Sequence, residues 1–291
     1  MKITCENNNL ILTEFNSFKI SETLECGQCF RFEKLGEEYY NIIAFDKVLK
    51  IKGENNKITF FNTTQEDFNK IWIDYFDLNT DYEKIKLSLK EDKTLNDAIS
   101  YAPGIRILNQ DFFECLISFI ISQNNRIPMI KKVIKNISEK YGTFICEENN
   151  EKYYSFPTPK QLINATEEEL HLCKTGFRAK YIIGAVELIY NKKINFSLFK
   201  DMSTNDIRDL LMSIKGVGPK VADCVLLFSC KRKETFPTDV WIKRIMSYFY
   251  FDGKDTDIKT IHELANKKFG NYAGFAQQYL FHYARQFKIG K

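Results

Sequence analysis

Ile207-Arg208-Asp209-Leu210-Leu211-Met212-Ser213-Ile214-Lys215-Gly216-Val217-Gly218-Pro219-Lys220-Val221-Ala222-Asp223-Cys224-Val225-Leu226-Leu227 reads as two helical stretches joined by a Gly-Val-Gly turn. Two glycines around one valine permit a tight turn with positive φ. Pro219 suits the first turn of the helix that follows. Such a turn exposes backbone N–H groups beside a helix N-terminus, a ready site for a phosphate. An ordinary helix–helix connector uses the same glycines, so the turn alone leaves both readings open. Lys220 opens the second helix, and Cys224 lies four residues on, on the same face. Nineteen residues after Lys220 comes Phe236-Pro237-Thr238-Asp239-Val240-Trp241, which puts Asp239 at the opening of the next helix. The helix dipole and free N–H groups favour a carboxylate there. An amine nucleophile beside a fixed carboxylate is what imine-forming glycosidic cleavage requires. Taken singly, Lys220 also reads as a surface lysine and Asp239 as a plain cap.

Outward from this hairpin the period stays helical. Apolar residues recur at three and four through 111–123, 127–141, 179–190, 205–213, 219–229, 240–250, 258–269 and 272–287. The connection from Gly142 to Pro159 is longer, acidic and carries two prolines. The first 60 residues read differently. Leu10–Leu12, Cys29–Phe32, Tyr39–Ala44, Val48–Lys52 and Lys57–Phe61 are short and β-rich, with Gly36, Gly53 and Asn55-Asn56 as turns. Helical patterns follow around 65–77 and 81–91. The expected fold is α+β: an N-terminal antiparallel β-sheet domain with helices over 1–93, then an all-helical body over 94–291.

At 291 residues, with 44% hydrophobic and 27% charged residues, the composition is that of a globular protein with a real core. The most apolar run, Phe112–Ile121, carries Glu114 and is far shorter than the roughly 20 residues of a membrane span. No signal-peptide pattern opens the chain, so a cytoplasmic protein, nucleoid-associated in a prokaryote, with no membrane partner is expected. Eight scattered cysteines argue against a disulfide framework, and three dispersed histidines against a metal centre. Residues 1–92 hold 12 Lys+Arg and 17 Asp+Glu, a balance of −5; residues 93–291 hold 30 and 21, a balance of +9. A basic body behind an acidic front suits a polyanion partner, although 34 of the 42 basic residues are lysines of the kind found on solvated helix faces.

The stretch Leu211–Cys224 followed by Pro237-x-Asp239-Val240 resembles the helix-hairpin-helix and Gly/Pro-rich loop with aspartate of DNA base-excision glycosylases. Within that superfamily the chain is similar to the 8-oxoguanine DNA glycosylases. Cys26-Gly27-Gln28-Cys29-Phe30-Arg31-Phe32, Ser122-Gln123-Asn124-Asn125, Gly176-Phe177-Arg178-Ala179-Lys180-Tyr181 and Tyr272–Phe281 also match, in family order. The resemblance implies a TBP-like first domain and a helix-hairpin-helix glycosylase body. It implies a bifunctional enzyme that flips 8-oxoguanine out of duplex DNA, with Lys220 as Schiff-base nucleophile and Asp239 stabilising charge on the sugar. No cofactor is implied, since the four-cysteine loop of the iron–sulfur branch is not found. A monomer is expected.

By the same resemblance, the Gly27 carbonyl accepts from N7–H of the damaged base, Gln277 bonds its edge, Phe281 stacks on its ring and Cys224 covers the other face. Gly216 and Gly218 supply N–H groups to a phosphate. Trp241 stands where eukaryotic members carry histidine. Asn124 and Phe177 fill the gap left by the flipped nucleotide, and Arg178 matches one arginine that reads the opposing cytosine. Met129 falls where eukaryotic members have the second, which implies a relaxed opposite-base preference. Two alternatives stand beside this reading: a sister glycosylase for other oxidised or alkylated bases, and a non-catalytic helix-hairpin-helix DNA-binding protein.

Overall fold

The computed structural model describes residues 1–288. Six antiparallel strands form one sheet: β1 (Lys2–Glu6), β2 (Asn9–Thr13), β3 (Phe32–Gly36), β4 (Tyr39–Ala44), β5 (Lys47–Glu54) and β6 (Lys57–Phe61), in the order β1-β2-β6-β5-β4-β3. Side chains alternate across a sheet, and the register puts the apolar set on one face. Leu10 faces Phe60, Leu12 faces Ile58, Tyr40 faces Ile51 and Ile42 faces Leu49. A helical stretch over 65–75 covers this face, with Phe68 edge-on to Phe60 at 5.0 Å. Among the described residues no helix is long and apolar enough to cross a membrane.

The second core is helical. Helix Phe112–Ser122 is apolar on nearly every side, the signature of a helix enclosed by others. It packs against helix Pro219–Ser229, with Phe119 and Phe228 stacked at 5.5 Å. Glu114, the one charge in this apolar run, meets Arg31 at 3.3 Å, and burial pushes its carboxyl up to about 7. Asp111 caps the helix by accepting from the Glu114 N–H at 2.9 Å.

One expectation is corrected and further elements are added. Cys29–Phe32 is not a strand: β3 begins only at Phe32, because the preceding turn is held by its own side chains. Within the long connection after Gly142, Phe144–Glu148 and Glu151–Tyr154 pair as a hairpin through Asn149-Asn150, both with positive φ. It docks on the first sheet through Lys50–Glu148 at 2.8 Å and Tyr153–Asn41 at 3.0 Å. Short helices at Ile20–Leu24, Lys93–Tyr101, Pro159–Leu162 and Glu167–Leu172 add to the elements read from periodicity.

The segment Cys26–Phe30 lies at the seam of the two cores: Cys26 and Phe30 pack into the helical one, Cys29 into the sheet one. Between them the fully buried Gln28 amide donates to the carbonyls of Thr23 and Arg106, each at 2.7 Å, and accepts from the Leu108 N–H at 2.8 Å. Its own carbonyl accepts from Gln110 at 2.7 Å. Gln28→Ala strands the Arg106 carbonyl and the Leu108 N–H, each worth about 1–3 kcal/mol, and leaves the Thr23 carbonyl only the Cys26 thiol. A loss of roughly 3–5 kcal/mol in urea unfolding is therefore expected; a loss under about 1 kcal/mol would show that water or the backbone replaces the amide.

Candidate active site

The hairpin joins helices Thr204–Met212 and Pro219–Ser229. Gly216 has φ +89°, and a methyl group on it would come within 2.4 Å of the Tyr181 ring. Both backbone angle and space therefore demand glycine there. Gln123 donates to the Gly216 carbonyl at 2.9 Å, tying the turn to the loop after helix Phe112–Ser122. Gly218 is extended, with open space around its Cα, so its neighbourhood admits a ligand.

Lys220 occupies the first turn of the second helix, its Nζ 5.0 Å from the centre of the Phe119 ring. One turn below, Cys224 is buried, which pushes its thiol up to about 11; the Lys220 ammonium pulls the other way. Asp239 caps helix Val240–Tyr250, accepting from the Ile242 N–H at 2.8 Å. The loop leading to it is buried. Thr238 meets the Phe236 carbonyl and His262 Nε2, each at 3.0 Å, and burial holds the His262 imidazole below its ordinary pKa.

A cleft of about 570 Å³ brings together Lys220, Asp239, Gly27, Phe281 and Trp241. Gly27 has φ +88°, and a methyl group on it would lie 3.3 Å from Phe281 Cε1, so the aromatic ring rests against the glycine. Cys224 and Gln277 lie behind the cleft wall, 3% and 5% exposed, and Gln277 Oε1 accepts from the adjoining Gln278 at 3.0 Å.

The remaining expected residues form a second group beside the cleft. Asn124, at φ +48°, is exposed, as are Met129 and Phe177 at 42% and 52%. Arg178 is not exposed with them. Its guanidinium donates to the carbonyls of Gln123, Asn124 and Thr175, using four of its five N–H groups, and lies 4.4 Å from the Phe177 ring. The expectation that Arg178 points at an opposing base is thus qualified: in this arrangement it holds the Asn124 loop. Sequence reasoning also missed Gln28, Gln123 and Phe119. Gln28 and Gln123 sit inside quoted motifs, where a buried amide beside glycine or asparagine was the available signal; Phe119 reads only as core.

Comparison with known proteins adds two findings. Residues 10–116 match the family described as 8-oxoguanine DNA glycosylase, N-terminal domain, and residues 117–269 that described as HhH-GPD superfamily base excision DNA repair protein. The N-glycosylase/DNA lyase of Saccharomyces cerevisiae is 31% identical, covering 90% of this chain and 82% of its own. The Clostridium acetobutylicum 8-oxoguanine glycosylase/lyase, solved with duplex DNA containing cytosine opposite 8-oxoG, superposes with a TM-score of 0.95 at 42% identity and covers 99% of both chains. MBOgg1, solved with a low-affinity DNA ligand, gives 0.95 at 46% identity over 99% of this chain and 100% of its own.

Gly216→Ala places a non-glycine residue at positive φ, which costs about 1–2 kcal/mol, before the collision with Tyr181 is counted. In a denaturation cycle the Gly216→Ala/Tyr181→Ala protein is expected to lose less stability than the two single changes summed. Strict additivity would show that the turn relaxes away from the ring.

Proposed function

The chain belongs to the 8-oxoguanine DNA glycosylases of the helix-hairpin-helix superfamily, and we propose from the cleft how it excises the damaged base and nicks the strand. It is a bifunctional N-glycosylase/AP lyase acting on duplex DNA. The observation that carries the mechanism is that one cleft is lined by Lys220, Asp239, Gly27 and Phe281, residues drawn from both halves of the chain.

The flipped nucleotide presents C1′ to Lys220. The amine forms a C–N bond as the glycosidic bond breaks, and the base leaves with the electron pair and takes up a proton. The sugar ring then opens to an imine. Loss of a proton from C2′ expels the 3′ phosphate oxygen, which is the strand break. Asp239, fixed by its cap hydrogen bond to Ile242, stabilises the positive charge that develops on the sugar.

Selection of the base falls to Gly27. 8-Oxoguanine carries a hydrogen on N7 where guanine carries a lone pair, so a fixed carbonyl attracts one and repels the other. An unpaired buried acceptor costs about 1–3 kcal/mol, enough for roughly ten- to a hundredfold discrimination. The Phe281 ring rests against Gly27, and rotation of that ring would make room for a purine beside the glycine. The same rotation opens the wall towards Gln277, one turn back on the helix, and Cys224, which then bond the base edge and cover its second face. Gly216 and Gly218 offer N–H groups to a phosphate, and Trp241 lines the rim.

The opposing base is held loosely. Phe177 and Asn124 fill the gap, Met129 has no donor to give, and Arg178 already serves carbonyls. A flexible thioether accepts any neighbour.

Lys220→Gln is expected to abolish both base release and nicking of an 8-oxoguanine duplex; retained nicking would overturn the nucleophile assignment. The unmodified protein is expected to excise the lesion opposite all four bases, with a shallow preference for cytosine. Met129→Arg should raise that preference roughly tenfold or more, the worth of a charged hydrogen bond. Single-turnover excision from four duplexes measures it, and strict cytosine selectivity in the unmodified protein would contradict the reading.

A further inference from the structure

Helix Ile127–Tyr141 carries four lysines, and their surroundings differ sharply. Lys131 donates to the Phe32 carbonyl at 3.0 Å over the Phe32 ring. Lys135 pairs with Glu151 and Lys140 with Glu169. Lys132 has no carboxylate partner among the described residues; the charged group beside it is another lysine. Asn136, one turn further along the same face, donates to the Cys173 carbonyl at 3.2 Å, and the Cys173 thiol reaches back to the Asn136 carbonyl at 3.8 Å. That contact brings Lys174 alongside Lys132. Lys174 projects from a backbone at φ +67°, fixed by its N–H on the His171 carbonyl at 2.8 Å. Contact with the Lys132 ammonium and its charge lower the Lys174 pKa. Both side chains belong to exposed residues.

Two ammonium groups brought side by side repel, and neither has a carboxylate partner among the described residues. An anion between them relieves the repulsion and satisfies both. Their place in the fold says which anion. Met129 lies three residues before Lys132 on the same helix face, and Phe177 three residues after Lys174. The pair therefore adjoins the patch that meets the base opposite the lesion.

We propose that Lys132 and Lys174 together bind a backbone phosphate of the undamaged strand, close to the orphaned base. The site rests on the repair reading of the cleft. It carries no sequence information, because phosphate contacts position without reading bases. It gives the enzyme a grip on the second strand that does not depend on which base is stranded there, which is what a side lacking an arginine at Met129 needs.

The test is equilibrium binding of the full chain to a duplex with a tetrahydrofuran abasic-site analogue, across a salt series and with each base opposite. Lys132→Gln/Lys174→Gln is expected to bind roughly tenfold more weakly. Its plot of log affinity against log salt should be shallower by about 0.9, the value of one phosphate contact. The loss should be equal for all four opposing bases. Neutral methylphosphonate linkages flanking the opposing base should weaken the parent by a similar factor and leave the double variant unaffected. An unchanged salt slope, or methylphosphonate and lysine losses that simply add, would overturn the site while leaving the repair reading in place. A parent that prefers the lesion-analogue duplex no more than plain duplex would overturn the repair reading and this site with it.

Discussion

A buried amide at the seam ties the two halves of this enzyme together. Gln28 closes three hydrogen bonds with backbone groups of Thr23, Arg106 and Leu108 at the seam between a sheet core and a helical core. Buried backbone groups without partners are costly, so the amide has one acceptable orientation. Gly27 precedes it directly. The glycine that lines the cleft is therefore placed by a residue whose own side chain does not line it. Lys220 and Asp239 come from the other core, and each is set by a helix start: one after a Gly-Val-Gly turn, the other as an N-cap. Gly27 at the seam and Lys220 and Asp239 on the helical core thus meet in one cleft, and their spacing depends on the seam staying closed.

Much of this was legible in the chain itself. Helices from Phe112 onward follow from apolar residues at three and four, and the hairpin follows from Gly216, Gly218 and Pro219. The meeting of Lys220, Asp239, Gly27 and Phe281 in one cleft agrees with the residues picked by resemblance. What escaped did so for physical reasons. β1 is an edge strand with mostly exposed side chains, so no alternating pattern marks it. The Phe144–Tyr154 hairpin is rich in glutamate and tyrosine that face lysine and asparagine on the sheet, contacts that periodicity cannot register. Gln28 and Gln123 act through long-range bonds to backbone, which leave no trace in local spacing.

Arg178 gives the sharpest contrast between reading a motif and seeing it packed. As a charged residue beside an exposed aromatic it suggests a surface contact, yet its guanidinium is buried and holds three carbonyls. Those bonds fix Asn124 at a positive φ that a free loop would seldom adopt. The Asn124 loop is held in that shape by the arginine engaged beneath it. On the proposed reading the same engagement takes Arg178 away from the opposing base, and Lys132 and Lys174 supply charge without selectivity.

The central claim is that Lys220, and no other amine, bonds to the sugar. Borohydride reduction during turnover of an 8-oxoguanine duplex, followed by proteolysis and tandem mass spectrometry, locates that bond directly. The expected result is a deoxyribose-derived mass on the Lys220 side chain. The same mass on another lysine or on the N-terminal amine, with Lys220 unmodified, would contradict the account.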